Sequence, residues 1–169
     1  MEPLVKPTLM EETWRGVAAA SNNAIRRMQQ QCGKDQEELT GFVLRFASDL
    51  PSETLGLALY IHLVLMQAFR NSGAKFRKLK PGTIERTWKE NFAFINDLKA
   101  AGHGYSHFSL PSGLVTEPAV TQYIIDALTE KDEDDPITLS ETEFWHLLHV
   151  LKTVTDCMHH VADMRGHVP

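Results

Sequence analysis

Residues 53–71 read ETLGLALYIHLVLMQAFRN, and this stretch decides the fold. Between Leu55 and Phe69 the apolar run is interrupted only by Gly56, His62 and Gln67. As a helix this run is about 22 Å long, whereas a membrane span needs about 20 residues to cross about 30 Å of hydrocarbon. Apolar residues on every side predict a core helix surrounded by others. We therefore predict an all-α helical bundle of about six helices around a central apolar helix at about 53–71, with no membrane segment.

The first helix of this bundle is predicted to begin at Thr8, because Thr8 and Glu11 have the spacing of a capping box. Helical spacing continues to Gly33, which is expected to end the helix. Met10, Trp14 and Val17 are expected on its apolar face, together with Ile25, Met28 and Cys32. One long helix is therefore predicted over residues 8–32.

The remaining helices are predicted from start signals that precede apolar residues at helical spacing. The clearest is a capping box formed by Ser140 and Glu143, with Leu139 and Phe144 placed for a hydrophobic staple. The other predicted starts are Asp35 with Glu38, Ser52 as the cap of the central helix, Pro81 to Thr83, and Thr116 with Pro118. Short connectors between long helices favour antiparallel neighbours in a bundle.

The whole chain, residues 1–169, is predicted to be one helical domain, since its length and its 43% hydrophobic content are typical of a single globular unit. Within it we predict a flexible N-terminus at about 1–7 and loops at about 72–82, 102–115 and 130–139. Cys32 and Cys157 fit no CxxC pattern, and the first residues do not form a secretory signal. These features predict a cytoplasmic protein.

Charge is distributed unevenly along the chain. The net charge is −5, but residues 70–89 carry seven basic side chains and one acid, which leaves −11 on the rest. Lys75, Arg77, Lys78 and Lys80 are candidate contacts to phosphate or nucleic acid, with Phe76 or Trp88 nearby for stacking on bases. Alternatively, the aromatic residues and Leu79 anchor a solvated loop to the core, and the acidic run at 132–135 is the electrostatic partner within the molecule or across a dimer.

The last helix is rich in histidine and aspartate, and these residues suggest a metal site. His149, Asp156 and His160 are placed on one side of the helix, and His103 and His107 from the preceding glycine-rich loop could complete a ligand shell for Zn²⁺ or another transition metal. No HExxH signature is present. The favoured interpretation is a solvated polar face with no cofactor.

His62 is the one residue in the apolar part of the central helix that can be charged near neutral pH. Because an unpaired imidazole is costly to bury, we expect it to be neutral and hydrogen-bonded within the core, to a tyrosine or a backbone group, rather than to act as a ligand or base.

Three functional hypotheses follow from these patterns. The favoured one is a non-enzymatic helical module for protein interaction or regulation, which binds another protein or itself as a homodimer through complementary charge. The first alternative is a metal-binding bundle or metal-dependent enzyme that uses the histidines of the last helix. The second is phosphate or nucleic-acid binding through residues 70–89.

Overall fold

The computed structural model describes residues 2–101, 115–130 and 139–163, which form seven helices and two short strands. The predicted all-α bundle is confirmed. In chain order the elements are α1 (Pro7–Ala18), α2 (Asn22–Asp35), α3 (Glu37–Ala47), α4 (Ser52–Asn71), β1 (Lys75–Phe76), α5 (Pro81–Ala100), α6 (Pro118–Thr129), α7 (Glu141–His160) and β2 (Ala162–Asp163). The strands pair antiparallel, so that Lys75 lies opposite Asp163 and Phe76 opposite Ala162.

The central position of α4 is confirmed, because this helix packs against α1, α2, α3, α6 and α7. Residues 61–69 are buried apart from Gln67, which is partly exposed, whereas Tyr60 in the N-terminal half is 39% exposed. Ser52 does not cap the helix as predicted: it is the first helical residue, and Pro51 occupies the N-cap position without a side-chain hydrogen bond. By length and composition α4 could cross a membrane, but 56% of its most apolar window lies buried inside the fold, as in the core helix of a globular protein.

The first predicted helix is wrong in one respect, because it consists of two helices, α1 and α2. Helix α1 ends at Ala18, and Ser21 caps α2 by accepting a hydrogen bond from the Ala24 amide at 3.2 Å. The two helices then pack in different places, α1 against α4 and α6 and α2 against α3 and α4. Residues 18–20 are all alanine and favour a continuous helix, so the Ser21 cap and tertiary packing outweigh their propensity.

Two other predicted capping boxes do not form. Helix α1 begins at Pro7 after Lys6, and α3 begins at Glu37 after Gln36, in both cases without a side-chain cap. The Ser140–Glu143 capping box at the start of α7 is confirmed, with each side chain bonded to the backbone of the other residue. Of the three predicted capping boxes, the one in α7 forms, and α5 and α6 begin at Pro81 and Pro118 as predicted from those prolines.

The N-terminal strap, residues 2–6, is held against the bundle, although the sequence predicted a flexible segment there. The carboxylate of Glu117 accepts hydrogen bonds from the Leu4 amide at 2.8 Å and the Val5 amide at 3.1 Å, and Val5 is fully buried. The loop predicted at about 72–82 contains β1, and Gly73 turns the chain toward that strand at φ +79, a conformation that favours glycine. Most of the two later loops lies outside the described residues.

Candidate functional site

His149 and Asp156, two of the predicted metal ligands, belong to the interface between α5 and α7. The His149 ring stacks on Trp88 with centroids 3.4 Å apart and planes 6° apart, and its Nε2 donates to the Trp88 carbonyl at 2.9 Å. Burial lowers the pKa of His149 below its ordinary value, against the raising effect of this hydrogen bond. The predicted solvated face is therefore wrong at His149, which is 6% exposed and fixed by α5.

Asp156 is bonded to protein groups through both carboxylate oxygens. Oδ2 lies 2.6 Å from Lys152 Nζ, and Oδ1 accepts from the Thr116 hydroxyl at 2.7 Å. Lys152 also donates to Asn91 Oδ1 at 2.8 Å, and the Asn91 amide donates to the Thr153 hydroxyl at 3.2 Å. These bonds join α5 and α7 through a polar network in which the oxygens of Asp156 serve as acceptors for protein donors.

The third helical candidate, His160, is exposed at the end of α7. His103 and His107 lie outside the described residues. Within the described part of the chain, no group of three or more His, Cys, Asp and Glu side chains is arranged to hold a metal ion. The complete ligand set therefore stays a prediction, and the described geometry gives His149 and Asp156 structural partners instead.

A buried acid–histidine pair that the sequence analysis missed joins α6, α7 and the N-terminal strap. Glu117 is fully buried, and its Oε1 lies 2.7 Å from Nδ1 of His159. The same carboxylate accepts the amides of Leu4 and Val5, so one side chain connects three parts of the fold. In the sequence, only the position of Glu117 directly before Pro118 marks it as a helix start, and nothing local indicates burial.

His62 and Cys32 form the one described His–Cys contact, with 3.6 Å between Nε2 and Sγ. Burial lowers the pKa of His62 to about 4 and raises the pKa of the Cys32 thiol. Because both shifts favour the neutral forms, this pair lacks the thiolate–imidazolium character of a nucleophilic cysteine. Burial agrees with the neutral core histidine that we predicted, but its partner is a thiol, and Nδ1 has no hydrogen-bond partner among the described residues.

The α1–α6 groove is an open cavity of about 540 Å³ between α1 and α6. Its apolar lining includes Met10, Trp14, Ala119 and Tyr123, and Trp14 is 37% exposed, although it was predicted on the core face of the first helix. Among the described residues, the charged side chains that line it are two acids, Glu11 and Asp126. The groove therefore offers aromatic and aliphatic surface beside negative charge, and no buried catalytic group faces it among its described lining residues.

The basic residues predicted as phosphate or nucleic-acid contacts are all exposed. Phe76 packs edge-on against Phe69 with centroids 5.9 Å apart, and Leu79 is 4% exposed. Trp88 is covered by His149. The structure thus supports the alternative prediction, in which these apolar residues anchor the segment to the core. The acidic run at 132–135, predicted as its electrostatic partner, lies outside the described residues.

No protein-family model, curated protein or solved structure matches this chain.

Proposed function

We propose that this chain is a non-enzymatic protein-interaction module that binds an amphipathic, positively charged helix of a partner protein in the α1–α6 groove. The observation that carries the proposal is the lining of the groove, which is apolar and aromatic with charges of one sign. Grooves between two helices commonly accept the apolar face of a third helix. Tryptophan and tyrosine are the residues that contribute most often to such contacts.

The charges at the groove favour a cationic partner. Glu11 is more than half exposed and is bonded only to Arg15 on its own helix, at 2.8 Å, while Asp126 accepts a hydrogen bond from Gln122 at 2.9 Å. Arg15 therefore already compensates the charge of Glu11, and its guanidinium lies 5.2 Å from the centre of the Trp14 ring, whereas Asp126 forms no ion pair with a described residue. Complementary charge at the surface steers association and selects the partner. Lysine or arginine on the flank of a bound helix would meet Asp126 while its apolar face covers Trp14.

The basic segment of a second copy is a poorer occupant of the same groove. Its inward-facing residues, Phe76 and Leu79, are already packed against their own core, so the segment has no free apolar side chain to insert. Inserting lysine into an apolar groove would remove its hydration without supplying apolar contact. The predicted homodimer, which rests on charge asymmetry alone, is therefore kept as a separate proposal.

The groove is tested with a fluorescein-labelled helical peptide of about 16 residues that carries leucine on one face and lysine on the other. We expect it to bind about tenfold more tightly than the same peptide with glutamate in place of lysine. Trp14→Ala should weaken binding about tenfold, the loss typical of a central interface residue. The matched control is Phe92→Ala, which removes another exposed aromatic side chain, 57% accessible, from α5 outside the groove.

Equal losses of affinity in Trp14→Ala and Phe92→Ala, or equal binding of the two peptides, would overturn the proposal. Sedimentation velocity of the same proteins distinguishes the second-copy alternative. A wild-type dimer that Trp14→Ala dissociates would identify a second copy as the occupant and would also contradict a heterologous helix. A dimer that Trp14→Ala leaves intact, and that dissociates as salt is raised, is the result expected for charge-driven homodimerisation elsewhere on the surface.

A further inference from the structure

The basic strip, defined as Arg77, Lys78 and Lys80, follows β1 and is separate from the α1–α6 groove. All three side chains are exposed, and none forms an ion pair with a described residue. By contrast, Arg70 lies 3.7 Å from Asp35, and Lys89 lies 3.1 Å from Glu85. The basic strip therefore holds positive charge that no ion pair with a described residue neutralises.

The backbone of the basic strip is fixed to the fold at several points. Gln36, which is 3% exposed, donates from Nε2 to the Arg77 carbonyl at 2.9 Å and accepts at Oε1 from the Leu79 amide at 3.0 Å. On the strand side, the Arg77 amide donates to the Val161 carbonyl at 3.0 Å. A backbone held in this way fixes the points from which the three side chains project, which reduces the entropy lost on binding.

The surroundings of the basic strip strengthen its attraction for anions. Helix α5 starts at Pro81, directly after Lys80, and has no acidic residue in its first turn. The positive end of the helix dipole therefore lies beside the strip and is not compensated locally. The three cations lie within four residues, so a short anionic segment is long enough to meet them.

Nucleic acid is a poorer ligand for this surface than an acidic peptide. Single-stranded nucleic acid is usually bound by aromatic side chains that stack on bases. Here Phe76 packs on Phe69, and one face of Trp88 is covered by His149.

We propose that the basic strip binds a short, extended segment of a partner protein that is rich in aspartate and glutamate. Arg77, Lys78 and Lys80 contact the carboxylates, and Gln36 acts as a positioning residue that holds the backbone of the strip in place. This second surface takes a partner of opposite charge to the helix proposed for the groove, so the two proposals stand or fall separately.

The test uses fluorescence anisotropy with a labelled decapeptide of alternating glutamate and aspartate, and the same peptide with glutamine and asparagine as its neutral match. We expect Lys78→Ala/Lys80→Ala to weaken binding of the acidic peptide at least fivefold. The charge-matched control Arg26→Ala/Arg45→Ala removes two exposed cations from α2 and α3 and should change the affinity less than twofold. Equal losses in the two double variants would overturn the proposal, because they would indicate general attraction to net charge.

The role of Gln36 is tested by Gln36→Ala, which removes the amide bridge without changing charge. In protein that remains folded by circular dichroism, we expect at least threefold weaker binding, whereas Gln29→Ala at an exposed position of α2 should have no effect. Unchanged affinity in folded Gln36→Ala would overturn the positioning role. If a ten-nucleotide oligo-dT binds as tightly as the acidic peptide, the strip is a nucleic-acid surface and the peptide proposal is wrong.

Discussion

Helices α4 and α7 have the same length, 20 residues, but they occupy the core in different ways. Helix α4 is apolar enough to resemble a membrane span, with a mean hydropathy of 1.3 in its best window, yet ten of its residues are buried. Helix α7 is interspersed with histidine, lysine and threonine, yet fourteen of its residues are buried. The more polar of the two helices is therefore the more buried one.

The difference lies in how each helix satisfies its polar groups. Lys152, His149 and His159 on α7 each meet a hydrogen-bonding partner on α5 or at the start of α6. On α4, His62 has one weak sulfur contact, and its Nδ1 has no partner among the described residues. On α7 the fold supplies a hydrogen-bonding partner for each of these buried groups, whereas His62 on α4 is buried in its neutral form with little compensation.

The largest effect on stability is expected from removing Glu117, the partner of His159 near the C-terminal end of α7. Glu117→Ala leaves His159 and the Leu4 and Val5 amides without their buried acceptor. We expect the free energy of unfolding to fall by about 4 kcal/mol, since breaking one side of a buried pair exceeds the cost of an ordinary hydrogen bond. Urea denaturation followed by circular dichroism measures this loss.

Two control variants separate the loss of the buried acceptor from the general effect of replacing a glutamate. Glu117→Gln retains an acceptor oxygen and should lose clearly less stability than Glu117→Ala, while Glu90→Ala at an exposed position of α5 should change stability by less than about 0.5 kcal/mol. A loss below about 1 kcal/mol in Glu117→Ala would show that the pair does not hold the strap and α7 together.

The single buried histidine of α4 should make stability depend on pH. His62 in the folded protein has a pKa of about 4, whereas in the unfolded chain it protonates near pH 6.5. Between these values the unfolded state binds more protons, so the free energy of unfolding falls as the pH falls from 6.5 to 4, by about 3 kcal/mol in total. Above pH 6.5 the residue is neutral in both states and contributes no pH dependence.

His62→Met isolates this contribution, because methionine fills similar space without titrating. Urea denaturation at pH 7 and pH 4 should show a smaller loss of stability on acidification in His62→Met than in wild type, by about 3 kcal/mol. His149, whose pKa burial also lowers, is present in both proteins and cancels in the difference. His160→Gln, at an exposed position, should retain the wild-type dependence; the same dependence in His62→Met would place the titrating group elsewhere.

Local sequence signals were sufficient for the parts of the fold that depend on neighbouring residues. The apolar run of α4 and the Ser140–Glu143 capping box are each defined within one short window, and both are present. The break between α1 and α2 was missed because the prediction followed apolar spacing from Thr8 to Cys32, and that spacing does not register the cap at Ser21.

The partners of buried polar groups could not be predicted, because they come from distant parts of the chain. Glu117 lies 113 residues from Leu4, and Lys152 lies 61 residues from Asn91. Likewise, the α1–α6 groove combines helices about 100 residues apart, so Trp14 was placed in the core by periodicity alone. The basic strip could be recognised in the sequence as local charge. The Gln36 bridge to its backbone could not, because Gln36 and Arg77 are 41 residues apart.

A smaller effect is expected in the middle of α7, where Lys152 is 5% exposed and lies 4.6 Å above the Phe94 ring. Lys152→Met keeps the aliphatic stem but removes the donor to Asn91 and Asp156, so we expect a loss of about 2 kcal/mol by urea denaturation. Lys89→Met, at a largely exposed ion pair on α5, should cost less than about 0.5 kcal/mol.

Adding Asp156→Leu to Lys152→Met should recover stability, because it removes the carboxylate left without its cation. If Lys152→Met is as stable as wild type, hydrogen bonds to α5 do not explain why α7 is buried. Apolar packing alone would then explain the burial of both α4 and α7.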